Sequence, residues 1–216
     1  MKKRYLIIAA GIILFLMIDV FLLYRCNILP HMQYTNQNFN ISTYVSSHDQ
    51  DEDGIDDQTD ILNGARAYIA TKSKYKSKYY ESGYPDDAYG VCTDVVGFAM
   101  LSAGYDLQRL VGEDINLHGE MYDIEQTDPK IDFRRVRNLK IYLDNNAISL
   151  TTDIHDMEQW QGGDIVTFKS HIGIVSDKRN RKGISFIIHH AGSMQLHYEE
   201  DILEKQGDIT GHYRIS

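Results

Sequence analysis

Three residues in the chain have types suited to acyl chemistry. Cys92 stands just before an apolar stretch that includes Val95 and Val96, and the small or turn-prone pair Gly90-Val91 precedes it. A cysteine at a helix N-terminus meets the positive end of the macrodipole, which favours thiolate over thiol. The expected thiol pKa is therefore below the roughly 8.5 of a free cysteine. His171 heads the run Ile172-Gly173-Ile174-Val175, and His189 ends Phe186-Ile187-Ile188. One cysteine with two strand histidines supplies a nucleophile, a base and an orienting group. Taken singly, each has a plain packing explanation, because free cysteines are mostly buried and inert.

A second motif suits a hard cation. Asp49-Gln50-Asp51-Glu52-Asp53-Gly54-Ile55-Asp56-Asp57-Gln58-Thr59-Asp60 fits the twelve-residue calcium loop. Asp49, Asp51 and Asp53 take positions 1, 3 and 5, and Gly54 takes the sharp turn. Ile55 offers its backbone carbonyl, and Asp57 and Asp60 take positions 9 and 12. The last position usually carries a bidentate Glu, so Asp60 is a departure. No helix is evident before the loop, which resembles a dockerin-like half-site rather than a paired EF-hand. The expected role of the calcium ion is structural. A solvated acidic turn is the plain alternative.

These residues need elements to position them. Ile61, Leu62, Ala65, Tyr68 and Ile69 have helical spacing, and Lys72–Tyr80 reads as the solvated end of that helix. A second helix starts at Cys92, with Gly104 as its C-cap. A third is expected over Arg134 to Asn145. From Trp160 the period changes to strands: Asp164–Phe168, His171–Ser176, Ile184–His190 and Thr210–Ile215. Helices followed by antiparallel strands make an α+β domain.

The start of the chain differs in composition from the rest. Lys2, Lys3 and Arg4 precede an apolar run from Tyr5 to Tyr24 whose one charge is Asp19. About 20 apolar residues suffice to cross a bilayer, and signal peptides have shorter apolar regions of about 7–15. Bulky residues and Arg25 stand where a peptidase would need small ones. The expected organisation is residues 1–4 cytoplasmic, 5–24 a transmembrane signal anchor, 25–47 a tether, 48–60 the calcium loop and 61–216 the α+β domain, outside the cytoplasm. The whole sequence of 216 residues carries a formal charge of −9. Without Lys2, Lys3, Arg4, Arg25 and Asp19 it has 18 basic and 30 acidic residues, so the remainder carries −12. That balance argues against a nucleic-acid partner. Two cysteines, Cys26 and Cys92, exclude a disulfide framework.

The order Cys92, then Trp160-Gln161-Gly162-Gly163-Asp164-Ile165-Val166, then His171-Ile172-Gly173-Ile174-Val175, then Ile187-Ile188-His189 resembles NlpC-like cell-wall cysteine peptidases of the papain-like superfamily. More narrowly, three blocks resemble the bacterial family known as domain of unknown function 1287, similar to amidases. They are Gly90-Val91-Cys92-Thr93-Asp94-Val95-Val96, the stretch 128–139 with Arg134, Arg135 and Arg137, and Ile209-Thr210-Gly211-His212-Tyr213-Arg214. The resemblance implies a papain-like, NlpC-like fold and amide cleavage, with Cys92 attacking, His171 as base and His189 orienting it. His190 follows His189 and competes with it for the orienting role. The substrate implied is peptidoglycan or another peptide amide, with no cofactor for catalysis. A non-catalytic envelope-binding module and an acyltransferase or deamidase remain open on the same residues. The three arginines are open between holding a substrate carboxylate and forming a solvated helix face.

Overall fold

The computed structural model describes residues 2–215, with side chains from residue 3. Residues 1–32 and 33–216 form two compact units. The first contains α1 (Lys2–Arg25), whose apolar side chains are exposed within its own unit. The segment Lys3–Arg25 is long and apolar enough to span a membrane, with a mean hydropathy of 2.9.

In the second unit, the elements that place the candidate residues are α2 (Asp57–Ala70), the two-residue strands β1 (Lys74–Tyr75) and β2 (Tyr89–Gly90), and α3 (Cys92–Ser102). Next come α4 (Leu107–Tyr122), a 3-10 turn at Asp132–Arg134, α5 (Val136–Asn146) and β3 (Ile148–Ser149). The rest of the sheet follows: β4 (Ile165–Phe168), β5 (Ile172–Arg179), β6 (Ser185–Ile188), β7 (Glu199–Glu200), the short α6 (Leu203–Gln206) and β8 (Ile209–Arg214). The sheet order is β3-β8-β4-β5-β6-β7, and every pairing is antiparallel.

Both faces of the central strands are covered, which is why they read as continuous apolar runs. Alternate residues divide between two cores. Ile165, Ile174 and Ile188 join α2, α3, α4 and α5 in one. Val166, Val175 and Ile187 join Trp160, Ile184, Ile202 and Leu203 in the other.

The mixed α+β order is as expected, with differences in four places. The tether expected over residues 25–47 is packed against the domain from Tyr34 onward. Tyr34 exchanges backbone hydrogen bonds with Arg179 at 2.9 and 2.8 Å. Asn36 is buried, donating to Gln161 Oε1 at 3.0 Å and accepting from Arg179 Nε at 2.6 Å. Polar residues that look solvated in sequence here satisfy a buried arginine. Lys72–Tyr80 is not a helix end, because α2 stops at Ala70 and β1 pairs in parallel with β2. α4 was not expected. Its Leu107, Val111 and Ile115 recur every four residues, and Asp106 caps it by accepting the Gln108 N–H at 3.0 Å. The third expected helix begins two residues later than Arg134, which lies in the preceding 3-10 turn.

Candidate active site

Cys92 is the first residue of α3, following Val91 in extended conformation. Valine has no side-chain acceptor, so the helix start is held from inside. Asp94 reaches back to accept the Val91 N–H at 2.8 Å. Asp94 is itself buried and takes Arg134 on both oxygens, Nε at 2.6 Å and Nη2 at 3.0 Å. Arg134 donates its remaining arm to the Lys78 carbonyl at 2.7 Å and lies over the Tyr80 ring at 4.9 Å. Arg134 therefore joins the α3 start to the 72–89 strap and has no free face for a substrate carboxylate. Arg135 and Arg137 are exposed; Arg137 pairs with Asp123 at 2.9 Å.

The sulfur of Cys92 faces the backbone amides of Ile172, Thr93 and its own residue. Ile172 follows His171, so the nucleophile candidate meets the beginning of β5. His171 Nε2 is 2.9 Å from His189 Nδ1, with the rings edge to face. His189 Nε2 is 3.1 Å from Glu200 Oε2. His189 thus bridges His171 and Glu200, whereas neither ring nitrogen of His190 has a hydrogen-bond partner.

This chain of contacts favours one set of tautomers. A carboxylate accepts only, so the 3.1 Å contact to Glu200, shorter than the 3.3 Å approach of Gln195 Nε2 to the same nitrogen, favours a neutral His189 that donates from Nε2 and accepts at Nδ1. The donor to that Nδ1 is His171 Nε2–H. His171 Nδ1 is then the lone-pair nitrogen, in the state required of a base.

Burial opposes the charged forms of both partners. It pushes the Cys92 thiol up to about 11, against the favourable amides of Ile172 and Thr93. It pushes the His171 imidazole down to about 3, helped by the His189 and His190 charges. The expected thiolate is thus corrected: in the closed site, desolvation outweighs the helix terminus, and both groups rest neutral.

Glu200 and Gln195 complete the site and have no sequence signal of their own. Glu200 sits in β7, beside Glu199. Glu199 is bound by Arg66 Nη2 at 2.9 Å, Lys178 Nζ at 2.6 Å and the Ser176 hydroxyl at 2.5 Å, which pins the edge strand against β5 and β6. Gln195 donates to the His189 carbonyl at 3.3 Å and accepts the Ala191 N–H at 2.7 Å. His190 is buried with neither ring nitrogen hydrogen-bonded, its edges against Tyr75 and Tyr198. Gly173 permits the close approach of β6. A methyl there would stand 2.6 Å from Ile187 Cγ2 and 3.2 Å from His189 Cβ.

A cavity of about 340 Å³ opens nearby, lined by Tyr68, Thr71, Pro85, Tyr89 and Phe98 among others. None of Cys92, His171 and His189 lines it. The thiol is covered, with Cys92 8% exposed.

In the acidic loop, Asp49, Asp51 and Asp53 bring carboxylate oxygens within 4.8 Å of one another. Asp60 is buried, and its carboxyl is pushed up to about 6 by that burial and by the Asp53, Asp51 and Asp49 charges. Asp57 is placed differently from expectation. It accepts the Gln50 N–H at 2.8 Å and the Tyr105 hydroxyl at 2.5 Å, and is not gathered with the three. The Ile55 amide donates to Asp53 at 2.8 Å.

The family model described as Domain of unknown function (DUF1287) matches residues 62–215. The chain is 34% identical over 167 residues to the protein named Uncharacterized protein YijF of Escherichia coli (strain K12), covering 71% of this chain and 80% of that protein. No solved structure matches.

Proposed function

The chain belongs to the DUF1287 family, and from that footing we propose that it is a membrane-anchored, extracytoplasmic cysteine hydrolase that cleaves an amide bond in peptidoglycan stem peptides. The observation that carries this reading is the hydrogen-bonded chain Glu200–His189–His171, which leaves a lone-pair nitrogen on His171 at the start of the strand that meets Cys92. The arrangement supports a papain-like, NlpC-like frame. Its nucleophile starts a helix packed on an antiparallel sheet, and its histidines lie at the ends of neighbouring strands.

In this mechanism His171 Nδ1 takes the Cys92 proton as the substrate carbonyl arrives. Transfer from a neutral thiol to a neutral imidazole creates a pair whose mutual attraction offsets part of the desolvation each charge suffers alone. The thiolate attacks the carbonyl carbon, and the amide N–H at the start of α3 faces the developing oxyanion. Collapse breaks the C–N bond as His171 returns the proton to the leaving amine. Water, deprotonated by His171, then cleaves the thioester and restores the thiol. His189 holds the His171 ring and Glu200 holds His189. Catalysis in this scheme requires no cofactor.

Lys3 and Arg4 before the apolar helix, and the bulk of the chain after it, support an uncleaved anchor with the domain outside the cytoplasm. Protease added to intact protoplasts should remove the domain; full-length protein surviving that treatment contradicts the topology.

The activity is tested by incubating the full chain in detergent with purified peptidoglycan and analysing released fragments by mass spectrometry. The wild type should yield new amino and carboxyl ends, each cut adding one water, and Cys92→Ala should yield none. Identical fragment patterns from the two proteins would overturn the proposal and leave a binding module.

A further inference from the structure

The acidic loop lies before the family-matched residues 62–215, and the proposed hydrolysis makes no use of it. Asp49, Asp51 and Asp53 hold carboxylate oxygens within 4.8 Å of one another despite their like charge. Their contacts are with the loop's own backbone: Gly54 N–H donates to Asp49 at 2.9 Å and Ile55 N–H to Asp53 at 2.8 Å. Among the described residues, no lysine, arginine or histidine forms an ion pair with any of these three or with Asp60.

A second observation is independent of the cluster. Asp60, in the first turn of α2, is 7% exposed, and its Oδ2 is shielded from solvent with no hydrogen-bond partner. The charges acting on it are Asp53, Asp51, Asp49 and Asp56, all of its own sign. A buried carboxylate oxygen without a donor, within range of the charges of three further carboxylates, is unfavourable through both desolvation and repulsion. A hard cation among them removes both penalties.

We propose that Asp49, Asp51, Asp53 and Asp60, with the Ile55 carbonyl, bind one calcium ion. Calcium takes six to eight oxygens at about 2.4 Å, so opposite ligands stand up to about 4.8 Å apart. The three loop carboxylates fall within that span. Magnesium demands a tighter octahedron and keeps several waters, which suits a loop offering this many carboxylates less well. Asp57 has a separate task. Its bonds to Gln50 and Tyr105 tie the loop to the α3–α4 junction, where a methyl on Gly104 would stand 3.1 Å from Asp51 Cβ. The ion fixes the start of α2, from which Gln58 reaches Asp164 at 2.8 Å. Its role is to hold the segment preceding the family domain onto that domain.

The test uses the full chain in detergent, stripped with a chelator and titrated with calcium chloride by calorimetry, with magnesium chloride in parallel. One ion per chain should bind, saturating by about 10 mM, which is above the weakest calcium sites of about 1 mM. The thermal midpoint should rise with calcium and respond far less to magnesium. Asp60→Asn should weaken binding at least tenfold (about 1.4 kcal/mol) and remove the calcium-dependent rise. If that variant does not fold, Asp51→Asn, at an exposed position, carries the same expectation. No heat and no midpoint shift by about 10 mM calcium would overturn the site. Equal responses to calcium and magnesium would also overturn it, as would undiminished binding by the folded variants. These readouts do not depend on turnover, so the site stands or falls separately from the hydrolase reading.

Discussion

Two buried clusters of histidine and acid lie on one sheet and are completed differently. Around Asp164, Arg214 donates Nε and Nη2 at 2.8 Å, Gln58 donates at 2.8 Å, the Gln161 amide at 2.9 Å, and His212 Nε2 stands at 3.0 Å. His212 Nδ1 meets the Thr151 carbonyl at 2.8 Å, and its ring stacks on Trp160 at 3.9 Å. Among the described residues, no solvent-shielded side-chain N or O atom of that cluster lacks a hydrogen-bond partner. At the other cluster, the relay from Glu200 through His189 ends on the lone pair of His171, the Cys92 thiol is desolvated, and His190 has both nitrogens without partners. A fully satisfied polar cluster stabilises a fold. Desolvated titratable groups with unused hydrogen-bonding capacity point to a substrate instead.

Asp164 carries the largest expected effect on stability. Asp164→Ala leaves Arg214 buried without its partner and should cost about 3–5 kcal/mol in denaturant melts. Cys92→Ala should cost only about 1 kcal/mol. Equal losses would erase the distinction between the clusters.

The converse holds for turnover. His171→Ala should lower hydrolysis of stem peptides by about 10²–10⁴-fold while keeping the circular dichroism spectrum and most of the stability. Glu200→Gln retains a side-chain oxygen acceptor, and should reduce turnover less while displacing the pH profile. A Glu200→Gln enzyme with wild-type rate and pH profile would remove Glu200 from the relay.

Stability against pH separates the two clusters next. His171 is held down to about 3, and His190 is also lowered by burial. The unfolded chain therefore binds protons near pH 6.5 that the folded chain refuses. Stability is full above that pH and falls as pH drops towards 3, with a slope on the order of 1.4 kcal/mol per pH unit for each such group. Cys92, pushed up to about 11, adds a fall on the alkaline side as pH rises from about 9 through 11. Thermal melts of His171→Asn across the acid range should show a shallower slope; an unchanged slope contradicts the neutral buried imidazole.

The smallest effect is at Gly173. Gly173→Ala forces a methyl within 2.9 Å of the Ile188 carbonyl oxygen and 3.2 Å of His189 Cβ. It should cost about 1–3 kcal/mol, with turnover falling further than the melt alone explains because His189 shifts. A fall in stability with no change in turnover would mean that the approach of His189 is not limiting.

The order of Cys92, His171 and His189 was legible because each adjoins a strongly periodic apolar run. The same holds for the central strands, whose ends differ from expectation by a residue or two at most points. α4 was missed because its apolar stripe is narrow and interrupted by polar residues and by the non-helical backbone at His118. Glu200 was illegible, since a two-residue edge strand has no period and its role arises from pairing with β6. The thiol's protonation is not legible in the sequence for a related reason. A helix start can be read from sequence, whereas the depth at which it is buried depends on the packing of β5 and of the 72–89 strap. The role of Arg134 is illegible in the sequence for the same reason, because its partner Asp94 lies forty residues earlier.

In the proposed reaction Cys92 forms a covalent acyl intermediate with an amide substrate. Intact-mass analysis of the full chain, quenched in acid during incubation with peptidoglycan stem peptides, tests it directly. An adduct of one acyl fragment, mapped to Cys92, released by hydroxylamine and absent from Cys92→Ala, is the expected result. Cleavage of the peptides by Cys92→Ala, or turnover by the wild type with the adduct on another residue, would contradict it.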